Sequence, residues 1–144
     1  MSNKNRGIAL FVNNGKFDNP EVNRDYYGND EELFQECFES LGFKVIIERD
    51  QTIKQIDVLL DKMREDNYPG YESYLKDSDC FVAMFSSHGN KGNSFMCKDG
   101  HLKNLPALIK DKFEGDNNLV TKPKLLFIDA CRGEDNLQHI ELVS

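Results

Sequence analysis

Cys131 follows the apolar run Leu125 to Ile128, with Asp129 and Ala130 before it and Arg132 and Gly133 behind it. His88 stands 43 positions upstream, between Ser87 and Gly89. A thiol and an imidazole are chemically sufficient for acyl transfer: the imidazole holds the thiol as thiolate and later protonates a leaving amine. The amide of Gly89, unshielded by any side chain, can join that of Cys131 as an oxyanion hole, the donor pair that stabilises a tetrahedral intermediate. A lone Ser-His-Gly or a lone buried cysteine is usually ordinary structure. Together they form a hypothesis of nucleophilic catalysis.

Such a pair needs elements that bring residues 88 and 131 to one place. The runs "GIALFV" (7–12), "FKVIIE" (43–48), "CFVAMFSS" (80–87) and "KLLFIDA" (124–130) read as buried strands. Between the first two, from Asp30, Leu33, Phe34, Cys37, Phe38 and Leu41 recur at helical spacing up to Gly42, which sits where a left-handed cap ends a helix. Thr52 and Gln55 form a capping-box pattern ahead of Ile53, Ile56, Leu60 and Met63, predicting a second helix. Asp99-Gly100 signals a hairpin turn, and a short helix is expected from Pro106 to Phe113. Strands that are apolar throughout, alternating with helices, indicate a mostly parallel sheet covered on both faces, the doubly wound α/β class. Ligands bind such sheets beyond the carboxyl ends of the strands, where His88 and Cys131 both fall.

Composition narrows the partners. The chain has 144 residues, 39% of them hydrophobic, enough for one core of ordinary size. Its net charge is -7 and its 18 basic residues are scattered, so neither nucleic acid nor a membrane surface is expected as a partner. The amino terminus carries only a short apolar stretch before Asn13, and no segment approaches the length of a membrane span, so a cytoplasmic location is expected. Cys37, Cys80, Cys97 and Cys131 lie far apart with no histidine at ligand spacing, which argues against zinc, and no metal or cofactor is expected. Cys37 and Cys80 read as core packing, and Cys97 as a structural residue that can be exposed in its hairpin. His101 beside the turn and His139 in a polar tail are not catalytic candidates.

The chain resembles the large subunit of the caspases, cysteine peptidases of the caspase-haemoglobinase clan. "DACRG" (129–133) resembles the caspase pentapeptide in four of five positions, and "SSHGNKG" (86–92) resembles the family's histidine loop. "RGIALFVNN" (6–14), "ESLGFKV" (39–45), "DSDCFVAMFSSHG" (77–89) and "KPKLLFIDACRG" (122–133) extend the resemblance over nearly the whole chain. It implies a three-layer caspase-like fold, with Cys131 as nucleophile, His88 as proton carrier and Gly89 as oxyanion-hole donor. It further implies that Arg24, from the loop after the first strand, binds the carboxylate of the substrate residue preceding the scissile bond, with Ser87 and Asp129 beside it. The Val22 carbonyl would orient the histidine.

The chain stops 13 residues after Cys131, whereas the family's domain continues. The expectation is that residues 1–144 are a large catalytic subunit whose small subunit is absent, and that the working enzyme is a homodimer of large/small heterodimers acting on protein substrates. Asp129 replaces a usual glutamine, leaving two alternatives to cleavage after Asp. One is a catalytically inactive regulator that binds a homologue; the other is a peptidase with metacaspase-like preference for Arg or Lys.

Overall fold

The computed structural model describes residues 5–24, 30–90, 94–115, 119, 122–130 and 138–143. Its centre is a five-stranded sheet formed by β1 (Asn5–Asn13), β2 (Lys44–Arg49), β3 (Ser78–Ser87), β7 (Lys124–Ala130) and β8 (Gln138–Val143), in the order β2-β1-β3-β7-β8. The first four strands are parallel and β8 runs antiparallel to β7. β4 (Gly89–Asn90), β5 (Ser94–Met96) and β6 (Leu102–Asn104) make a second, small antiparallel sheet around the expected hairpin.

The pleat sends alternate residues of each strand to opposite faces, and both faces are apolar. Ile8, Leu10 and Val12 of β1 join Phe81, Ala83 and Phe85 of β3 against α2 (Ile53–Arg64) and α3 (Leu105–Phe113), which contribute Ile56, Leu60, Met63, Ile109 and Phe113. On the other face Ala9, Phe11 and Val82 meet Phe34 and Phe38 of α1 (Asp30–Ser40). The result is the expected three-layer α/β arrangement.

Local chemistry explains where the helices begin and end. Thr52 and Gln55 form the reciprocal capping box, with the Gln55 amide reaching the Thr52 hydroxyl and the Thr52 amide reaching the Gln55 side chain. α1 ends as its sequence implied: Gly42 takes a φ of +92°, and the amides of Phe43 and Gly42 donate to the carbonyls of Phe38 and Glu39.

Three readings of the sequence are corrected. His139, expected in a polar tail, lies in β8. Cys37 is exposed rather than packed, lining an open cleft together with exposed Leu33. Cys97 is fully buried, and burial pushes its thiol up to about 12.

One glycine sets how closely β1 and β3 approach. Gly7 adopts a φ of +141°, and a Cβ built there would lie 1.8 Å from the Cys80 carbonyl oxygen. Gly7→Ala is therefore expected to cost about 3 kcal/mol or more, from backbone strain and steric overlap together. Chemical denaturation checks this; a loss below about 1 kcal/mol would mean that the strands can separate cheaply at this point.

Candidate active site

The strand register decides what meets at the carboxyl edge of the sheet. Asn13 of β1 stands beside Arg49 of β2 and Ser86 of β3, Ser86 beside Asp129 of β7, and Ser87 beside Ala130. His88 is thus the residue after the paired end of β3, and Cys131 is the residue after the paired end of β7 in the chain; Cys131 itself lies outside the described residues.

The loop that follows β1 closes on itself beside His88. The Arg24 amide donates to the Gly15 carbonyl at 2.7 Å, and the Phe17 amide to the Asn23 side chain at 2.8 Å. Asn19 caps a single 3-10 turn, Pro20–Val22, which aims the Val22 carbonyl at the His88 ring. His88 Nε2 lies 2.7 Å from that oxygen, and the ring of Phe17 lies 5.5 Å from the imidazole between centroids. A carbonyl can only accept, so Nε2 must carry the hydrogen. In the neutral ring this leaves Nδ1 as the basic nitrogen. The main chain of His88 is held as well, its carbonyl accepting from the Met96 amide at 2.8 Å. Gly89 follows directly, paired with Phe95 at the start of β4.

Arg24 reaches the same edge. Its Nη1 donates to the Ser86 hydroxyl at 3.0 Å and to the Asn14 carbonyl at 3.2 Å. Asp129 stands next to Ser86 in register, so the two side chains leave the same face of the sheet. Among the described residues no ion pair joins Arg24 to Asp129. Asp129 instead borders an open cleft of about 390 Å³ with Asp30, Leu33, Phe34, Phe38 and Phe127 among its walls. Ser87 is not brought to Arg24: it is buried with its hydroxyl on the Met96 carbonyl at 2.7 Å, because successive strand residues alternate faces. The serine that meets Arg24 is Ser86, which the sequence reading passed over, as it did Phe17; only the loop's closure reveals either contact.

An ion pair between buried Glu31 and half-exposed Arg49 braces this edge. Glu31 accepts from Arg49 at 2.6 and 3.0 Å and from the Asn13 side chain at 2.9 Å, tying the start of α1 to the ends of β1 and β2. Among the described residues no group of three or more His, Cys, Asp or Glu is placed to hold a metal ion. No helix among them is long and apolar enough to cross a membrane.

Similarity identifies the family to which this mostly parallel α/β sheet belongs. The caspase-domain family model matches residues 6–143. Caspase-7 of Gallus gallus is 32% identical over 141 residues, covering 94% of this chain and 42% of the relative. Caspase-8 of Rattus norvegicus is 33% identical over 147 residues, covering 94% of this chain and 28% of the relative. The crystal structure of caspase-1 from Spodoptera frugiperda has a TM-score of 0.78 at 29% identity, covering 94% of this chain and 52% of that one. The chain belongs to the caspase family of cysteine peptidases. It spans less than half the length of these two curated relatives.

The Arg49 hydrogen bond holds the Glu31 carboxyl below its ordinary value of 4.5, against the opposing effect of burial. A carboxylate depressed by folding stabilises the fold above its unfolded value and loses that contribution as pH falls through the folded one. Urea midpoints measured from pH 7 to pH 3 should therefore show the parent more stable than Glu31→Gln at neutral pH, with the gap shrinking below about pH 4.5. A gap that widened on acidification would contradict the pairing.

Proposed function

We propose that this chain is the large catalytic subunit, residues 1–144, of a cysteine endopeptidase of the caspase type that cleaves protein substrates after Asp. The observation that carries the reading is the 2.7 Å contact of His88 Nε2 with the Val22 carbonyl, which leaves Nδ1 as the base next to the end of the strand that Cys131 follows. The name caspase on its relatives supports a role in a cell-death or inflammatory proteolytic cascade in the cytoplasm.

In this mechanism His88 Nδ1 takes the proton of the Cys131 thiol, and the thiolate sulfur attacks the scissile carbonyl carbon. The oxygen that gains the negative charge is stabilised by the amides of Gly89 and Cys131. Collapse breaks the C–N bond, and His88 gives its proton to the departing amine. Water, deprotonated by His88, then attacks the thioester carbon. The acid product leaves and Cys131 regains its proton.

Arg24 supplies the cation for the substrate carboxylate. Its seat on Ser86, adjacent to Asp129, puts a carboxylate in the position where the family pentapeptide carries a neutral amide. An ionised carboxylate cannot donate a hydrogen bond to an acidic substrate residue. It also repels such a residue, so cleavage after Asp is weakened without being lost. The small subunit that completes the site supplies a second cation, and two large and two small subunits form the working assembly.

Cys131→Ala in the full-length protein should abolish peptide hydrolysis and His88→Ala nearly so, since members of one catalytic unit fail together by factors on the order of 10⁴ to 10⁶. Appreciable turnover by Cys131→Ala would remove the nucleophile assignment. Asp129→Gln should raise cleavage after Asp in a panel of peptides ending in Asp, Asn, Arg or Lys. A parent that cleaves only after Arg or Lys would replace the Asp-directed reading with a basic-specific one, and an inert parent would favour a regulator.

A further inference from the structure

Asn14 is fully buried one residue beyond β1, and the catalytic steps above make no use of it. Its amide donates to the Ser86 carbonyl at 2.8 Å, extending the β1–β3 ladder. Its side-chain Nδ2 donates to the carbonyls of Gln51 at 3.1 Å and Met96 at 3.2 Å, and its Oδ1 accepts from the Gln51 amide at 2.8 Å. Its own carbonyl accepts from Arg24 Nη1. A carboxamide offers two donors and an acceptor in one plane, and all three are engaged here. Four separate segments therefore meet on one residue: β3, the loop before α2, β5 and the loop that carries Val22 and Arg24.

We propose that Asn14 is a positioning residue for His88, acting through Met96; the proposal rests on His88 being the proton carrier. The Met96 carbonyl accepts from Asn14 Nδ2 and from the Ser87 hydroxyl, while the Met96 amide donates to the His88 carbonyl. One residue of β5 thus grips the main chain of the Ser87–His88 pair, and Asn14 anchors that grip to the end of β1. The ring's own partner, the Val22 carbonyl, is carried by a loop that closes onto Gly15, the residue after Asn14. Both supports of His88 therefore start from the same point of the sheet.

The backbone around Asn14 has independent support. Asp50 accepts from the amides of Gly15 and Lys16 at 3.0 and 2.9 Å, and its own amide donates to the Asn13 carbonyl. Changing the Asn14 side chain should then disturb the hold on Met96 and His88 while leaving Arg24 on the Asn14 carbonyl. Asparagine is required there because the two carbonyls facing Nδ2 need donors.

The test is Asn14→Asp in the full-length protein, a near-isosteric change that keeps the acceptor and replaces both donors with an oxygen facing the two carbonyls. kcat should fall about 10- to 100-fold, the scale of loss when a reacting group is misplaced by about an ångström, with KM within about twofold. The ring resonances of His88, assigned through His88→Gln, should shift in the NMR spectrum while those of His101 and His139 stay in place. Unchanged kcat with unchanged His88 resonances would overturn the proposal, as would a raised KM with kcat preserved. An inactive parent would count against the peptidase reading alone, since the His88 resonances still decide whether Asn14 positions that ring. If Asn14→Asp does not fold, Ser87→Ala removes only the other bond to the Met96 carbonyl. It should move kcat and the His88 resonances in the same sense, and no movement in either would overturn the proposal.

Discussion

The parallel pairing of β1, β3 and β7 is the constraint on which the rest depends. The register fixes which residues end together: Asn13 beside Ser86, Ser86 beside Asp129 and Ser87 beside Ala130. Shifting β3 by one residue would exchange its two faces. Phe81 and Phe85 would move to the α1 side, and Ser86 would turn away from Arg24. Gly7 permits the close approach of β1 to β3 that this register needs. Apolar burial on both faces makes the alternative costly, at roughly 25 cal/mol per Å² of surface returned to water.

What the sheet edge supports is a loop and a small sheet that hold His88, the loop by its ring and the small sheet by its main chain. The 3-10 turn at Pro20–Val22 presents a carbonyl to Nε2, and β5 holds the His88 main chain. Hydrogen bonding to a carbonyl sets the tautomer without adding a negative charge, unlike the carboxylate that serves this purpose in serine-protease triads. The same loop delivers Arg24 to Ser86, so the proposed proton carrier and the proposed substrate anchor share a scaffold closed by the Arg24–Gly15 hydrogen bond. Glu31 and Arg49 brace that scaffold through Asn13.

Much of this was legible in the sequence because the signals were local. Continuous apolar runs marked the four parallel strands, the Thr52–Gln55 pair marked the start of α2, and Gly42 marked the end of α1. The placement of His88 at a strand end followed from the α/β pattern, and the Val22 carbonyl and Arg24 entered through the family resemblance. What stayed hidden depends on contacts between distant segments. Ser86 and Ser87 are indistinguishable in sequence, and only the pleat decides which one faces Arg24. Asn14 carries no local signal, because its partners at Gln51 and Met96 are 37 and 82 positions away. β8 escaped because Gln138 and Glu141 interrupt the apolar pattern, and its place depends on the edge that β7 offers.

The central claim is that Cys131 is a nucleophile activated by His88. Its most direct test is the site-resolved rate at which a peptidyl electrophile ending in Asp modifies each cysteine of the full-length protein, read by mass spectrometry with and without the His88→Ala substitution. The account predicts that Cys131 reacts faster than exposed Cys37 by a factor on the order of 10² or more, and that His88→Ala removes the advantage. Modification of Cys37 ahead of Cys131, or a Cys131 rate indifferent to His88, would contradict it.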